Sequence, residues 1–188
     1  MLERRTVVAR LLENRDNAVV VSGLGSPTYD VAAVSPSDRN YYLWGAMGGA
    51  AMMGFGLALA QPDLHVIVIT GDGEALMGMG SLATIGANQP DNLSIVVLDN
   101  EHYGETGMQQ SHLGMGVDLC AVAAACGFTQ ACSVTTEVEL QTVVSTFHET
   151  TATKFILVKV SPESPPRVMP TRDAVENKIT LRRALGTA

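Results

Sequence analysis

The sequence predicts an α/β protein with an open parallel sheet and helices on both faces. Short apolar runs alternate with segments of helical length, and at least five such runs can be counted along the chain. Strands that alternate with helices in this way pair in parallel, because each crossover helix returns the chain to the same end of the sheet. Neither an internal repeat nor a low-complexity tract interrupts the alternation.

The first elements are predicted in the order helix, strand, strand, helix. Residues 2–15 carry apolar side chains at helical spacing, and residues 18–21 form a short buried strand. The loop 22–28 is rich in glycine and small hydroxyls, which is compatible with either a plain turn or a phosphate contact. After a strand at 41–44, the uncharged segment 45–60 predicts a tightly packed buried helix or a membrane-type small-residue helix. Its glycines lower helix propensity, which indicates close approach to a ligand or a partner subunit.

The remaining elements continue the same alternation. The predicted strands are 66–69, 93–98, 129–134 and 154–160, and the predicted helices are the segment after residue 73, 117–126 and 136–148. A polar, glycine-bearing loop at 101–112 is a candidate lid or substrate wall. We therefore expect one domain over residues 1–160. Residues 161–188 are expected to leave it as a Pro-rich C-terminal extension, with a helix at 171–185 that packs on a neighbour.

Composition excludes several classes of function. The chain has 188 residues, 46% hydrophobic and 16% charged, as in a globular domain. A net charge of −7 without a Lys/Arg cluster disfavours a nucleic-acid partner. We identify neither a membrane span nor a signal peptide and expect a cytoplasmic protein. Three cysteines spaced by six residues predict buried thiols, not a disulfide framework or a zinc site.

Polar side chains follow two of the predicted strands directly. Gly71-Asp72-Gly73 follows one strand and Asn100 follows the next. The ends of parallel strands meet at one edge of the sheet, where ligands bind. A carboxylate and an amide oxygen suit Mg²⁺, and glycines allow a phosphate to approach the start of the following helix. These residues predict a metal-diphosphate site.

Other nucleotide and catalytic motifs fit poorly. Gly23 and Gly25 begin a dinucleotide-type pattern, but Pro27 interrupts the turn and Thr28 stands where a third glycine is needed. The sequence also lacks a P-loop, a GxSxG elbow and an HExxH motif.

The spacing of the diphosphate motif is specific. Twenty-six residues separate Gly73 from Asn100, and the segment Gly45-Ala46-Met47-Gly48 lies upstream. With LDNEHYGETG and DLCAVAAACGF, this pattern resembles the thiamine diphosphate-dependent enzymes. Within them it is most similar to the sulfopyruvate decarboxylase beta subunits and the C-terminal half of the phosphonopyruvate decarboxylases, over roughly residues 15–160. The resemblance implies the diphosphate-binding (PP-type) domain of that fold, with thiamine diphosphate and Mg²⁺ as cofactors.

The resemblance also implies residue roles. Mg²⁺ would be held by Asp72, Asn100 and the backbone carbonyl of His102. Backbone N–H groups of Gly73 and Glu74 would bind the diphosphate with help from Gly25 and Ser26, while the Glu74 carboxylate must point away from the phosphates or be exposed. The Gly45 carbonyl and the Met47 N–H would contact the aminopyrimidine, and the Met47 side chain would lie under the thiazolium. The other residues implied to contact the cofactor, on its thiazolium and diphosphate side, are Gly71, Tyr103, Gly104, Glu105, Thr106 and Gly107. The alternative interpretation is that Met47 is an ordinary core residue with no contact to a cofactor.

One catalytic residue is missing from the pattern. In the family a glutamate from a separate pyrimidine-binding domain activates the cofactor, and Glu101 and Glu105 lie at the wrong end of the site. We therefore expect a partner (alpha) subunit to complete the active site, in an α₂β₂ or larger hetero-oligomer acting on a small 2-oxo acid. An acetolactate synthase-like carboligase and a non-catalytic cofactor-binding module are the alternatives. The loop 101–116 has no Lys or Arg for a sulfonate or phosphonate, so either the partner supplies that charge or the substrate differs.

Overall fold

The computed structural model describes residues 1–163 and 165–187, which contain one six-stranded parallel sheet and a small hairpin. The sheet order is β2-β1-β3-β4-β8-β7. Its strands are β1 (Val19–Ser22), β2 (Asn40–Tyr42), β3 (Val66–Gly71), β4 (Leu93–Asp99), β7 (Gln130–Val134) and β8 (Lys154–Lys159), and the hairpin pairs β5 (His102–Tyr103) with β6 (Gln109–Gln110). The predicted open parallel sheet is confirmed.

Helices cover both faces of this sheet, as predicted. They are α1 (Arg4–Leu12), α2 (Ser26–Val34), α3 (Ala50–Ala60), α4 (Asp72–Met77), α5 (Ser81–Asn88), α6 (Leu119–Ala125), α7 (Glu137–Thr146) and α8 (Ala174–Ala184). Alternate residues of each strand point to opposite faces, so Ile67 belongs to the core cluster that contains Leu11 and Leu140, while Val68 belongs to the cluster on the other face with Phe55 and Leu119. Within the described residues, none of these helices has the length and apolarity required to span a bilayer.

Three local features differ from the sequence predictions. The segment 22–28, predicted as a loop, is helical from Ser26 onward, and Pro27 lies in the first turn of α2, where the missing N–H costs nothing. The buried helix expected from residue 45 begins only at Ala50, because the backbone of residues 45–49 forms a loop. The helix after Gly73 is split at residues 78–80 into α4 and α5. In addition, the prediction of three buried thiols is wrong, because Cys120 and Cys126 are only partly buried and Cys132 on β7 is exposed.

The C-terminal segment packs on the body of the domain instead of leaving it. The Arg5 Nη2 donates to the carbonyl of Pro166 at 2.8 Å, and the Trp44 indole donates to the carbonyl of Thr171 at 2.9 Å. On α8, the buried Asn177 amide donates to the carbonyl of Tyr42 at 3.1 Å. The segment therefore covers edge strand β2, a position that would otherwise expose unpaired backbone groups.

Two glycines of α3 provide a test of its packing. A Cβ on Gly54 would lie 2.2 Å from Val68 Cγ2, whereas a Cβ on Gly56 would meet nothing within 4 Å. Gly54→Ala should lose about 1 kcal/mol of unfolding free energy, because overpacking of about 1–3 kcal/mol exceeds the helix-propensity gain of about 1 kcal/mol. Gly56→Ala, the matched control, should gain up to about 1 kcal/mol. Urea denaturation measures both, and equal stabilisation by the two substitutions would contradict the close packing of α3 on β3.

Candidate cofactor site

A cleft opens at the carboxyl ends of β1 and β3. From β1 the chain crosses to β2 on one side, and from β3 it crosses to β4 on the other side. Neighbouring strands whose connections diverge leave a crevice at their ends, and such crevices are the ligand sites of open α/β sheets. The turn before α2, the turn from β3 into α4 and the hairpin that follows β4 all border this crevice. Sheet topology therefore brings together segments that are far apart in sequence.

The cleft contains most of the predicted site residues. Lining it are Ser26, Met47, Gly71, Asp72, Gly73, Glu74, Asn100, His102, Tyr103, Gly104, Glu105 and Thr106, together with the unpredicted Arg4, Leu24, Pro27 and Leu98. Gly25, Gly45 and Gly107 are outside the lining. Gly25 lies directly before α2, where a Cβ would approach Glu105 to 2.9 Å, and Gly45 is exposed with open space around it.

Asp72 is a buried carboxylate at the start of α4, with 2% of its surface exposed. Its Oδ2 accepts a hydrogen bond from the Ser111 hydroxyl at 2.5 Å. Burial raises the pKa of Asp72 to about 6, with a smaller contribution from the negative charge of Asp99, although the Ser111 hydrogen bond acts in the opposite direction. A buried anion of this kind is stabilised by a bound cation, which supplies the charge that water no longer screens.

Asn100 and His102 form a compact turn directly after β4. The Asn100 Oδ1 accepts from the His102 N–H at 3.0 Å, and His102 Nδ1 lies 2.7 Å from the Asn100 carbonyl oxygen. Glu101 between them adopts a positive φ of 62°, which gives the turn its sharp bend. The Asn100 amide oxygen retains a second lone pair for another interaction.

The donor set fits Mg²⁺ with a diphosphate. Asp72 offers a carboxylate and Asn100 a neutral oxygen, whereas the described part of the chain contains no cluster of three His, Cys, Asp or Glu side chains. Magnesium uses few protein oxygens and completes its shell with water and phosphate. At Gly73 a Cβ would lie 2.5 Å from Tyr103 Cδ1, so only a glycine allows the backbone and this ring to lie together beside the cleft.

The carboxylate of Glu74 is buried beneath the cleft. Its Oε2 accepts from the Thr70 hydroxyl at 2.8 Å and occupies the place where a Cβ on Gly23 would lie, 1.6 Å away. Burial raises the pKa of Glu74, and the hydrogen bond from the Thr70 hydroxyl opposes that shift. The carboxylate is packed against the loop that precedes α2, and its Oε1 is buried without a hydrogen-bond partner among the described residues, so the group is not exposed.

Met47 lies on the loop before α3. Positive φ angles of 73° at Gly45 and 88° at Gly48 shape this loop, and the Gly48 carbonyl packs where a Cβ on Gly78 would lie, 2.2 Å away. This contact coincides with the break between α4 and α5. The Met47 side chain borders the cleft with 37% of its surface exposed, so it is not a core residue.

Two positively charged side chains lie at the edge of the site, and both come from segments that were not predicted to contribute to it. Lys159 Nζ lies 2.7 Å from Asp99 Oδ2 and 2.6 Å from Glu101 Oε1. Burial acts to lower the pKa of Lys159, but hydrogen bonds to the two carboxylates outweigh it and raise the pKa. Arg167 of the C-terminal segment lies 3.5 Å from Glu105. The absence of Lys and Arg from loop 101–116 therefore does not leave its carboxylates unpaired.

Comparisons with known proteins agree on one family. Residues 23–160 match the family model of the thiamine pyrophosphate enzyme C-terminal TPP-binding domain. The chain is 40% identical to the sulfopyruvate decarboxylase subunit beta of Methanocaldococcus jannaschii, over 72% of this chain and 70% of that protein. It is also 40% identical to the phosphonopyruvate decarboxylase of Streptomyces viridochromogenes, over 86% of this chain and 40% of that protein.

The fold is shared with solved structures of lower sequence similarity. Benzoylformate decarboxylase from Polynucleobacter necessarius superposes with a TM-score of 0.68 at 22% identity, over 88% of this chain and 34% of that chain. The agreement concerns the fold, an open parallel sheet with helices on both faces.

Proposed function

The chain belongs to the thiamine pyrophosphate enzymes, and from that premise we propose that it is the cofactor-binding subunit of a thiamine diphosphate- and Mg²⁺-dependent 2-oxo acid decarboxylase. The observation that carries the proposal is the position of Asp72 and Asn100 at the ends of adjacent strands, with both residues lining one cleft. Decarboxylases of sulfopyruvate and phosphonopyruvate, named above as relatives, support the reaction class.

The division of roles follows from the cleft. Asp72, Asn100 and the His102 carbonyl would hold Mg²⁺. Backbone N–H groups at the starts of α2 and α4 would bind the diphosphate, because helix N-termini favour anions; they come from Gly25, Ser26, Gly73 and Glu74. When bound, thiamine diphosphate supplies the carbon nucleophile and takes up the electrons released as CO₂ leaves. The protein contributes positioning and exclusion of water.

The opposite end of the site is open. Gly45 and Met47, proposed to contact the aminopyrimidine, are exposed. The glutamates beside the cleft are engaged elsewhere, since Glu101 pairs with Lys159, Glu105 pairs with Arg167, and the Glu74 carboxylate is buried against Thr70. We propose that the activating glutamate comes from a pyrimidine-binding alpha subunit, in an α₂β₂ or larger assembly.

Exposed methionines lie on the cleft loop and on segments that follow the cleft residues in sequence, and they favour a partner surface. They are Met47, Met52, Met77, Met79 and Met115, each with at least 37% of its surface exposed. Apolar side chains that cluster on a surface mark interaction sites, and methionine adapts its shape to a partner.

Reconstitution tests the proposed function. The isolated chain should release CO₂ from 2-oxo acids at less than about one-hundredth of the rate of its complex with the co-purified partner, because positioned acid–base catalysis contributes about 10²–10⁴-fold. The assay should use sulfopyruvate, phosphonopyruvate and pyruvate, with product identification. Full activity of the isolated chain would contradict the shared site. Acetolactate from pyruvate would indicate a carboligase, and cofactor binding without turnover by the complex would indicate a binding module.

A further inference from the structure

Arg4 borders the cleft although it lies almost seventy residues before the diphosphate motif. Leu2 forms a parallel bridge with Val160 beyond the end of β8, and the Ser161 N–H donates to the Leu2 carbonyl at 2.8 Å. This pairing places the start of α1 at the ligand edge of the sheet. The Arg4 side chain is buried there, with 4% of its surface exposed.

The charges around Arg4 do not balance. Its Nε and the Nε of Arg5 both bond to the carboxylate of Asp30, which is fully buried on α2. Two guanidinium groups thus share one carboxylate, so Asp30 alone does not neutralise both arginines. Within the described residues, Arg4 Nη1 is buried without a hydrogen-bond partner. A buried donor of this kind costs free energy unless a ligand accepts from it.

The surroundings of Arg4 select an anionic ligand. It shares the cleft lining with Ser26 and Pro27 in the first turn of α2, a helix whose N-terminus has no side-chain cap. Free N–H groups at a helix start and a guanidinium both bind phosphate oxygens, the guanidinium through a planar fork. Mg²⁺ and Asp72 together contribute one net positive charge, which is less than the negative charge of a diphosphate.

We propose that Arg4 is a direct ligand of the cofactor's diphosphate group, donating from Nη1, with Asp30 holding the guanidinium in place. This inference rests on the proposed function and extends the diphosphate site from the central strands to the first helix. It also accounts for a buried arginine whose Nη1 has no acceptor in the described part of the protein.

Calorimetric titration of the 188-residue chain tests the proposal without an activity assay. The probes are inorganic pyrophosphate and thiamine diphosphate, each with Mg²⁺. Arg4→Gln should weaken the binding of both about 10- to 100-fold, as expected for hydrogen bonds to a charged group. Arg5→Gln is the matched control, because Arg5 bonds to the same carboxylate but does not line the cleft; it should change affinity less than about threefold.

The outcomes separate this inference from the proposed function. Equal affinities for the two glutamine variants would overturn the role of Arg4 while leaving the function intact. Failure of the wild-type chain to bind either probe would overturn both. If Arg4→Gln does not fold, Arg4→Lys keeps the charge beside Asp30 but loses the planar fork, and its unchanged pyrophosphate affinity would also overturn the proposal. A third titration, with sulfopyruvate, completes the test: if Arg4→Gln weakens the binding of sulfopyruvate but not of pyrophosphate or thiamine diphosphate, Arg4 belongs to the substrate site and the diphosphate contact is rejected.

Discussion

Replacing Asp72 by alanine is expected to abolish Mg²⁺-dependent binding of thiamine diphosphate, with an affinity loss of at least about 100-fold. Groups that only orient a metal ligand already contribute about 10- to 100-fold, so loss of the ligand itself should exceed that range. The variant should remain folded at least as well as the wild type. Burial raises the pKa of Asp72, which means that the folded state disfavours its charge, and alanine removes that charge.

Calorimetry with Mg²⁺ and thiamine diphosphate measures the effect, and two further variants calibrate it. Ser111→Ala removes the hydroxyl that donates to Asp72 Oδ2. It should weaken binding of the cofactor about 10-fold, which is less than the loss expected for Asp72→Ala. Asp63→Ala, at an exposed aspartate outside the cleft, should have no effect. Unchanged binding by Asp72→Ala would reject the assignment of the metal site.

Asp30→Ala is expected to lower the free energy of unfolding by about 3–5 kcal/mol. The substitution leaves the buried Arg4 guanidinium without the carboxylate that pairs with it, and an uncompensated buried charge is destabilising by about that amount. Urea denaturation at constant pH, with the slope against urea checked for two-state behaviour, measures the change.

The matched control is the ion pair between Arg10 and Glu137, which joins α1 to α7 at the surface. Glu137→Ala should change the free energy of unfolding by less than about 1 kcal/mol, because exposed pairs are solvated and screened. Similar effects of Asp30→Ala and Glu137→Ala would mean that Arg4 reaches water when Asp30 is lost. The comparison therefore measures the burial of the arginine independently of any ligand.

Much of the sheet could be predicted because its strands are apolar runs bounded by glycine, proline or polar residues. The alternation with helices then determined parallel pairing, and the positions of Asp72 and Asn100 after adjacent strands determined a shared edge. α2 was missed because Ser26-Pro27-Thr28 has the composition of a turn. The position of Pro27 in the first turn is, however, also a helix-start signal.

The cations of the site could not be predicted from local patterns. Arg4 depends on the bridge between Leu2 and Val160, and Arg167 depends on the return of the C-terminal segment over α2. Neither contact leaves a periodic signal in the sequence, because each joins residues more than sixty positions apart. Lys159 was the exception. It ends a strand at the ligand edge, a position that could have suggested its pairing with Asp99.

Strand order also constrains the sequence of events during synthesis of the chain. β7 pairs only with β8 in the described sheet, yet β8 follows it by about twenty residues and lies between β7 and β4. A chain that emerges from its N-terminus can pair β1 to β4 early. β7 cannot pair with the sheet until β8 has been synthesised and has paired with β4. A ribosome that stalls in α7 would therefore present a nascent chain with an open edge at β4, a state in which association with chaperones or with another chain is favoured.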